Sequence, residues 1–281
     1  MKVLVTGAAG QLGVDLVRHC VDAGDGVVAL DRTGLDVTDR DAVVAAVTAA
    51  RPDAVINTAA YTAVDACETN VELAHLVNAP AVGHLAEGCA ASGAHLVHVS
   101  TDYVFDGTLD RPYRESDEPN PRSVYGQSKL SGERLAGPGS SIARTSWVCG
   151  EHGDNMVKLV LRLAADPTRQ LAFVDDQRGC PTFTADLALA LRRLALDRRS
   201  GTFHLTNAGP VSWYEFVRDI LAAAGHDPSR VRPIATADLE PPRPAPRPAN
   251  SVLDNAAWRA AGLPPLRDFH EPLAELVARL A

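Results

Sequence analysis

No stretch of this chain approaches the roughly 18 uninterrupted apolar residues that a membrane-spanning helix needs, so no membrane partner is expected. No block of like charge occurs either. Asp and Glu (35) outnumber Lys and Arg (27) for a formal net charge of −8, which argues against a grip on nucleic acid or an anionic membrane surface. Cysteine is sparse and scattered: Cys20, Cys67, Cys89, Cys149 and Cys180 are odd in number and form no Cys-x-x-Cys pair. That usage argues against a disulfide frame or a thiolate zinc site, and fits buried thiols in a reducing, cytoplasmic setting. No metal-ligand cluster, internal repeat or low-complexity tract is evident, so no metal is expected. Met1-Lys2 leads straight into Val3-Leu4-Val5, and no leader or cleavage site is expected there. What remains is an ordinary globular balance of 46% apolar and 22% charged residues, which excludes global disorder. At about 150 residues per domain, the length predicts one large domain or two small ones.

The first half alternates short apolar runs with longer amphipathic ones. Strands are predicted at Lys2–Thr6, Val27–Leu30, Ala54–Asn57 and Ala94–Ser100. Between them, Leu12, Leu16, Val17 and Cys20 share one helical face, Asp39-Arg40-Asp41 opens a second helix, and Leu73–Ser92 reads as helical. Strands of four to seven residues separated by helices imply parallel strands with crossover helices. Right-handed crossovers on both faces give an α/β fold, a Rossmann-type doubly wound parallel sheet. The second half adds a strand at Ser141–Ser146, helices at Asn155–Ala164 and Thr184–Leu196, and a short strand at Phe203–Thr206. Ser212-Trp213-Tyr214-Glu215 reads as a capping box. The proline-rich stretch Pro233–Pro248 is not expected to hold regular structure, and reads as an extended strap on a smaller C-terminal α/β substrate lobe. Residues 1–150 and 181–206 are assigned to a dinucleotide-binding domain, and 151–180 and 207–281 to that lobe.

The turn Gly7-Ala8-Ala9-Gly10-Gln11-Leu12-Gly13 joins the first strand to the first helix. Glycines there let backbone N–H groups approach a diphosphate, which the helix N-terminus favours. Glycines also mark plain turns, so context decides. Asp31 ends the second strand 18 residues after Gly13, where a carboxylate can bind the adenosine ribose hydroxyls. Its bland reading is a turn residue. Arg32 beside it suits the 2′-phosphate of NADPH, so NADPH and NADH both stay open.

The sharpest signal is Tyr125-Gly126-Gln127-Ser128-Lys129. Tyr and Lys at i and i+4 share one helix face. A phenol ionises near 10, and a nearby ammonium is expected to pull that value toward what general acid catalysis needs. With 5 tyrosines and 3 lysines in 281 residues, chance supplies only about 0.05 such pairs, the background a short motif must beat. Basic positions here are nearly always Arg (24 of them), so Lys129 fits a site needing a compact, titratable charge. The bland alternative is a solvated helix face. Thr101 closes the fourth strand 24 residues before Tyr125, at the carboxyl end where ligands of such sheets sit. Its hydroxyl is placed to hydrogen-bond a carbonyl oxygen.

These residues resemble the extended short-chain dehydrogenase/reductases, and within them the dTDP-4-dehydrorhamnose reductase family. The matching segments are Gly7–Gly13, Ala59-Ala60-Tyr61-Thr62-Ala63-Val64-Asp65, Ser100-Thr101-Asp102-Tyr103-Val104-Phe105-Asp106-Gly107, Val124–Lys129, Arg144-Thr145-Ser146-Trp147-Val148, Asp176–Thr182 and Arg247-Pro248-Ala249-Asn250-Ser251. They span nearly the whole chain. The resemblance implies hydride transfer from NADPH or NADH to the C4 ketone of a dTDP-4-keto-6-deoxyhexose. It implies Tyr125 as general acid, Thr101 on the carbonyl oxygen, and Lys129 tuning the phenol and binding ribose. It places Gly7, Gly10, Gln11, Leu12, Asp31, Asp36, Val37, Ala59, Ala60, Tyr61 and Thr62 around the cofactor, and Asp102, Tyr103 and Trp147 against the sugar. Trp147 has a bland alternative as a core aromatic. Arg247, on the strap, is nominated for the substrate diphosphate, because local arginines bind such anions bidentately despite a net acidic chain; its alternative is a surface arginine. Cys149 stands where the family commonly has Tyr, and Cys67 and Cys180 also interrupt matching motifs, which leaves open another dTDP-deoxysugar 4-ketoreductase. A related epimerase or dehydratase, and a non-catalytic regulatory subunit resembling that of methionine adenosyltransferase, are the other readings. The resemblance leaves room for a homodimer.

Overall fold

The computed structural model describes residues 1–280; Ala281, the last residue of the range assigned to the second lobe, lies outside them. Five strands build the sheet in the first half: β1 (Lys2–Thr6), β2 (Gly26–Leu30), β3 (Ala54–Asn57), β4 (His95–Thr101) and β5 (Ser141–Thr145). Among them run helices α1 (Gln11–Asp22), α2 (Arg40–Ala50), α3 (Val64–Cys67), α4 (Val71–Asn78), α5 (Pro80–Ser92) and α6 (Val124–Ala136). Strands β6 (Val148–Cys149), β7 (Leu171–Val174), β8 (Arg178–Gly179), β9 (Thr182–Phe183), β10 (Gly201–His204), β11 (Val211–Ser212) and β12 (Val231–Ile234) follow. So do α7 (Met156–Ala164), α8 (Thr184–Asp197), α9 (Trp213–Ala223), α10 (Ala256–Ala260) and α11 (His270–Leu280).

The main sheet has six strands in the order β10-β5-β4-β3-β1-β2, all paired in parallel. Alternation along each strand sends side chains to two separate cores. Val3, Val5, Ala54, Ile56 and Val97 meet Leu16, Leu187, Leu191 and Leu194 of α1 and α8 on one face. Leu4, Val55 and Leu96 meet Val43, Val47, Val82 and Leu85 of α2 and α5 on the other. Both faces are covered, as an all-parallel sheet requires. Winding reverses between β1 and β3, which opens a crevice at their carboxyl ends.

The predicted helix over Leu73–Ser92 is two helices. Pro80 lacks the N–H that would continue α4 and instead begins α5 at its first position, where that donor is not needed. The Phe203–Thr206 strand is displaced to Gly201–His204 by its register with Ser141–Arg144. The capping box forms: the Ser212 hydroxyl accepts from the Glu215 N–H (3.1 Å) and the Glu215 carboxylate from the Ser212 N–H (2.7 Å).

A second core lies between α7, α9 and α11, built on Val157, Val160, Phe216, Ile220, Phe269 and Leu273. Trp258 and Leu263 turn back to the sheet's own core. The expectation that Pro233–Pro248 holds no regular structure fails at its start. Pro233 lies within β12, paired with β7 alone, and such an edge tolerates a residue without a donor. Thr236–Asp238 then forms a 3-10 turn. Farther on, the Ala245 N–H donates to Asp65 (3.2 Å), so the strap is pinned to α3 of the first half.

Candidate active site

The crevice at the carboxyl ends of β1, β2 and β3 holds a cavity of about 390 Å³ lined by Gly7, Gly10, Asp31, Asp36, Val37, Ala59, Ala60 and Tyr61 among others. The loop fits there only without side chains. Gly7 has φ 69°, and a Cβ on it would lie 2.7 Å from the Ala59 nitrogen; one on Gly13 would lie 2.2 Å from the Gly7 carbonyl oxygen. This cradle at the start of α1 suits a diphosphate. Oδ1 of Asp31 accepts from the Thr33 hydroxyl (2.7 Å), the Thr33 N–H (2.9 Å) and the Gly34 N–H (3.0 Å), and these bonds hold the carboxyl below its ordinary range. Asp31 is therefore both a turn former and a wall of the cavity, with Arg32 beside it. Asp36 is held likewise by Thr38.

Three of the predicted cofactor residues are placed differently. The Leu12 side chain is buried in the sheet core, so only its backbone faces outward. The Gln11 side chain donates to the Val148 carbonyl (2.9 Å) and accepts from Asn155 (2.8 Å). Thr62 is exposed, and is not a lining residue of the cavity. Leu73, Leu76 and Val77 of α4 complete the wall instead. Their i, i+3, i+4 spacing was the available signal.

Next to this crevice, Thr101 ends β4 and Asp102–Val104 forms a 3-10 turn. Helix α6 packs against that turn because Gly126 has no side chain: a Cβ there would lie 2.2 Å from the Tyr103 carbonyl oxygen. Ser123 caps the helix through the Gly126 N–H (3.1 Å), which puts Tyr125 in the first turn, where the helix dipole favours an anion. The Thr101 hydroxyl lies near the Tyr125 phenol and favours its ionised form, and the Tyr103 ring meets that of Tyr125 edge-on at 5.6 Å. Burial nonetheless holds the phenol above its ordinary value, against the lowering pull of Thr101. The expected lowering of this phenol by the Lys129 ammonium is not found. Lys129 is 2% exposed, its Nζ is turned to the Val99 carbonyl (2.6 Å), and burial brings its own pKa down to about 8. A buried network unseen in the sequence holds the helix in place. Asn78 donates to the Tyr61 carbonyl (3.0 Å) and to Ser128 (3.0 Å), and Ser128 donates to the Tyr125 carbonyl (2.8 Å).

Oδ1 of Asp102 accepts from Thr101 (3.0 Å), while its buried Oδ2 has no partner among the described residues. Burial pushes this carboxyl up to about 6, against the lowering pull of the nearby Ser251 and Thr101 hydroxyls. Burial likewise lifts Tyr103 to about 12. Arg247 is not a free surface arginine. Both its terminal nitrogens bind Asp65, one at 2.8 Å, and its charge lies near enough to Tyr103 to favour that phenolate. Trp147 has φ 47°, uncommon for a bulky residue, and stacks on Trp213 at 3.5 Å. Cys149 and Cys180 are buried, their thiols pushed up to about 12 and about 11 by burial, so neither is a ready nucleophile.

The family model described as RmlD substrate binding domain matches residues 1–281. A dTDP-4-dehydrorhamnose reductase of Streptomyces griseus is 46% identical, covering 97% of this chain and 91% of that protein. A probable dTDP-4,6-dihydroxy-2-methyloxan-3-one 4-ketoreductase of Streptomyces antibioticus is 44% identical, covering 98% and 94%. The crystal structure of a dTDP-4-dehydrorhamnose reductase from Bacillus anthracis in complex with NADP superposes with a TM-score of 0.94 at 34% identity, covering 99% of each chain.

The contact beneath α6 makes a measurable demand. Gly126→Ala gains about 1 kcal/mol of helix propensity but overpacks against Tyr103, for an expected net loss of about 1–3 kcal/mol. Gly139→Ala, where a Cβ meets nothing within 4 Å, is expected within about 0.5 kcal/mol of the parent. Urea denaturation of both variants checks this; a stabilised Gly126→Ala protein means the helix is free to shift.

Proposed function

The chain belongs to the family described as RmlD substrate binding domain, and from that premise we propose that it reduces the C4 ketone of a dTDP-4-keto-6-deoxyhexose with NADPH or NADH, in the first instance dTDP-4-dehydrorhamnose to dTDP-L-rhamnose. The observation that carries this reading is the meeting of Thr101, buried Asp102 and the Tyr125 phenol at the carboxyl end of β4, beside a glycine cradle that suits a dinucleotide.

When bound, the reduced nicotinamide cofactor supplies the hydride. The chain supplies the rest. Thr101 orients the carbonyl oxygen, and Tyr125 gives its proton to the oxygen as negative charge develops there. A phenol held neutral by burial keeps that proton until an alkoxide, a much stronger base, asks for it. Lys129 is assigned to the nicotinamide ribose and to proton supply. Asp102, Tyr103 and Trp147 are assigned to the hexose and Arg247 to the diphosphate. The adenosine half goes to the Asp31–Arg32 end of the cavity, with Gly7, Gly10, Gln11, Leu12, Asp36, Val37, Ala59, Ala60, Tyr61 and Thr62 along the cofactor. Gln11 and Leu12 take part through backbone amides. Residues 1–150 and 181–206 carry the cofactor and 151–180 and 207–281 the sugar nucleotide; the separate core around Phe216 and Phe269 supports that division. Five free, buried cysteines support a cytoplasmic setting. A second reading, another dTDP-4-keto sugar as substrate, is favoured by Cys149 in the Trp147 segment and by the 44% identical ketoreductase.

Mixing the purified protein with reduced cofactor and dTDP-4-keto-6-deoxyhexose is expected to oxidise the cofactor, and product stereochemistry by NMR separates the two substrates. Tight cofactor binding with no turnover on either sugar would point to a regulatory subunit. Tyr125→Phe is expected to lower kcat by about 10²–10⁴-fold while cofactor affinity stays within about twofold; lost binding with preserved chemistry contradicts the assignment. Arg247→Ala is expected to raise KM for the nucleotide sugar by about tenfold, worth about 1.4 kcal/mol. An unchanged KM leaves Arg247 a strap anchor only.

A further inference from the structure

Thr6, Asn57 and His98 stand side by side across β1, β3 and β4, in register with one another, and all three are buried. The orientation of the Asn57 amide is fixed. Its Oδ1 accepts from the Ala59 backbone N–H (3.1 Å), a group that can only donate, and from the Thr6 hydroxyl (2.7 Å). Its Nδ2 therefore faces His98, and donates to the ring Nδ1 at 2.9 Å. A ring nitrogen that accepts carries no proton. A fully buried imidazole stays neutral, and burial with Lys129 nearby holds His98 well below its ordinary value. Its one proton is then on Nε2, which lies 3.4 Å from the Lys129 Nζ.

We propose that Thr6, Asn57 and His98 form a positioning chain that presents the His98 Nε2–H to Lys129 and thereby favours the amine over the ammonium form of that lysine. The proposal rests on reading Lys129 as part of the acid–base set. An ammonium would put donor against donor at this contact. The amine accepts from Nε2–H while still donating to the Val99 carbonyl. The other charged groups around Lys129 do not cancel the effect. Glu133, one turn along α6, pulls toward the ammonium, but it is engaged by Arg144 of β5 through two bonds (2.9 and 2.7 Å) and by Ser100 of β4. Burial acts in the opposite direction and brings the Lys129 pKa down to about 8, and the His98 contact adds to burial in that direction. A lysine with a pKa of about 8 holds an amine fraction on the order of a tenth at pH 7, where an ordinary lysine near about 10.4 holds well under a thousandth, and so can both give and take the proton that Tyr125 loses.

Two measurements on the intact protein test this without turnover. Imidazole ¹⁵N shifts, with His98 assigned by its loss in His98→Gln, are expected to show Nε2 protonated and Nδ1 bare. The chain has only Lys2, Lys129 and Lys158, so ¹³Cε-lysine spectra give three signals, with Lys129 expected to titrate near about 8. Asn57→Asp supplies only acceptors, so His98 should switch to the Nδ1–H tautomer. The Lys129 midpoint should then rise by about one pH unit or more, with Lys2 and Lys158 unmoved. A charged or Nδ1-protonated His98 in the native protein overturns the proposal, whether or not the variant folds. So does a folded Asn57→Asp protein in which the tautomer switches and Lys129 does not follow. Because neither readout involves a ketone, failure of the substrate assignment leaves this result standing, and the reverse also holds.

Discussion

Helix α6 lies backbone to backbone against two parts of the molecule, and the candidate site depends on that approach. At one end Gly126 sits under the Tyr103 carbonyl; two turns on, Gly132 sits under the Asn78 carbonyl, where a Cβ would be 2.1 Å from the oxygen. A side chain at either position would lift the helix from the end of β4. Tyr125 would then lose Thr101, and Lys129 would lose both Val99 and His98. Displacements on the order of 1 Å at reacting groups cost about 10²-fold in rate, so two small residues that touch no ligand govern whether the acid–base set exists.

The second consequence of that approach is dryness. Thr101, Asp102 and Lys129 are all under 9% exposed, and burial is the largest influence on Asp102, Tyr103, Tyr125 and Lys129 alike. It moves each toward its neutral form, acids upward and the lysine downward. One buried ion pair lies beside them. Arg144 and Glu133, with side chains 5% and 7% exposed, stay paired through two-pronged geometry, with Ser100 donating a further bond. Burying such a pair gains little stability by itself. Here it ties α6 to β4 and β5, the two elements whose relative position sets the distance from Tyr125 to Thr101.

Local spacing made much of this legible. Strand alternation gives the sheet and its two covered faces, and the Gly7–Gly13 turn marks the start of α1. Tyr125 and Lys129 fall on one helix because four residues is one turn. What spacing could not supply was direction and distant partners. Lys129 shares a face with Tyr125 yet bends toward β4, because a buried ammonium or amine must find an acceptor, and the Val99 carbonyl is there. Arg247 meets Asp65 from 182 positions away, a pairing that depends on where the strap crosses α3. Asn78 sits at the Ala79-Pro80 break, a place that reads as mere helix punctuation. The break is what lets its amide face Tyr61 and Ser128 instead of following the helix face onward.

Gln11 shows how an expectation tied to one motif can point to the right residue through the wrong atoms. Its side chain reaches out of the phosphate turn to the Val148 carbonyl, and accepts from the Asn155 amide, which also donates to the Gly150 carbonyl at 2.7 Å. Asn155 in turn caps α7 through the Lys158 N–H at 3.1 Å, and α7 packs into the second core. The turn that would hold the cofactor is thus joined by one amide to the helix that opens the other lobe. Asp15, one turn farther along α1, bonds Thr184 at the start of α8 and so ties together the two helices that cover one face of the main sheet. Hydride transfer to a bound ketone needs donor and acceptor held at near contact, and these two sites belong to different cores. The hydrogen bond from the Gln11 side chain to Asn155 helps keep them in register, which is why Gln11 matters to the geometry even where its side-chain amide never meets the cofactor.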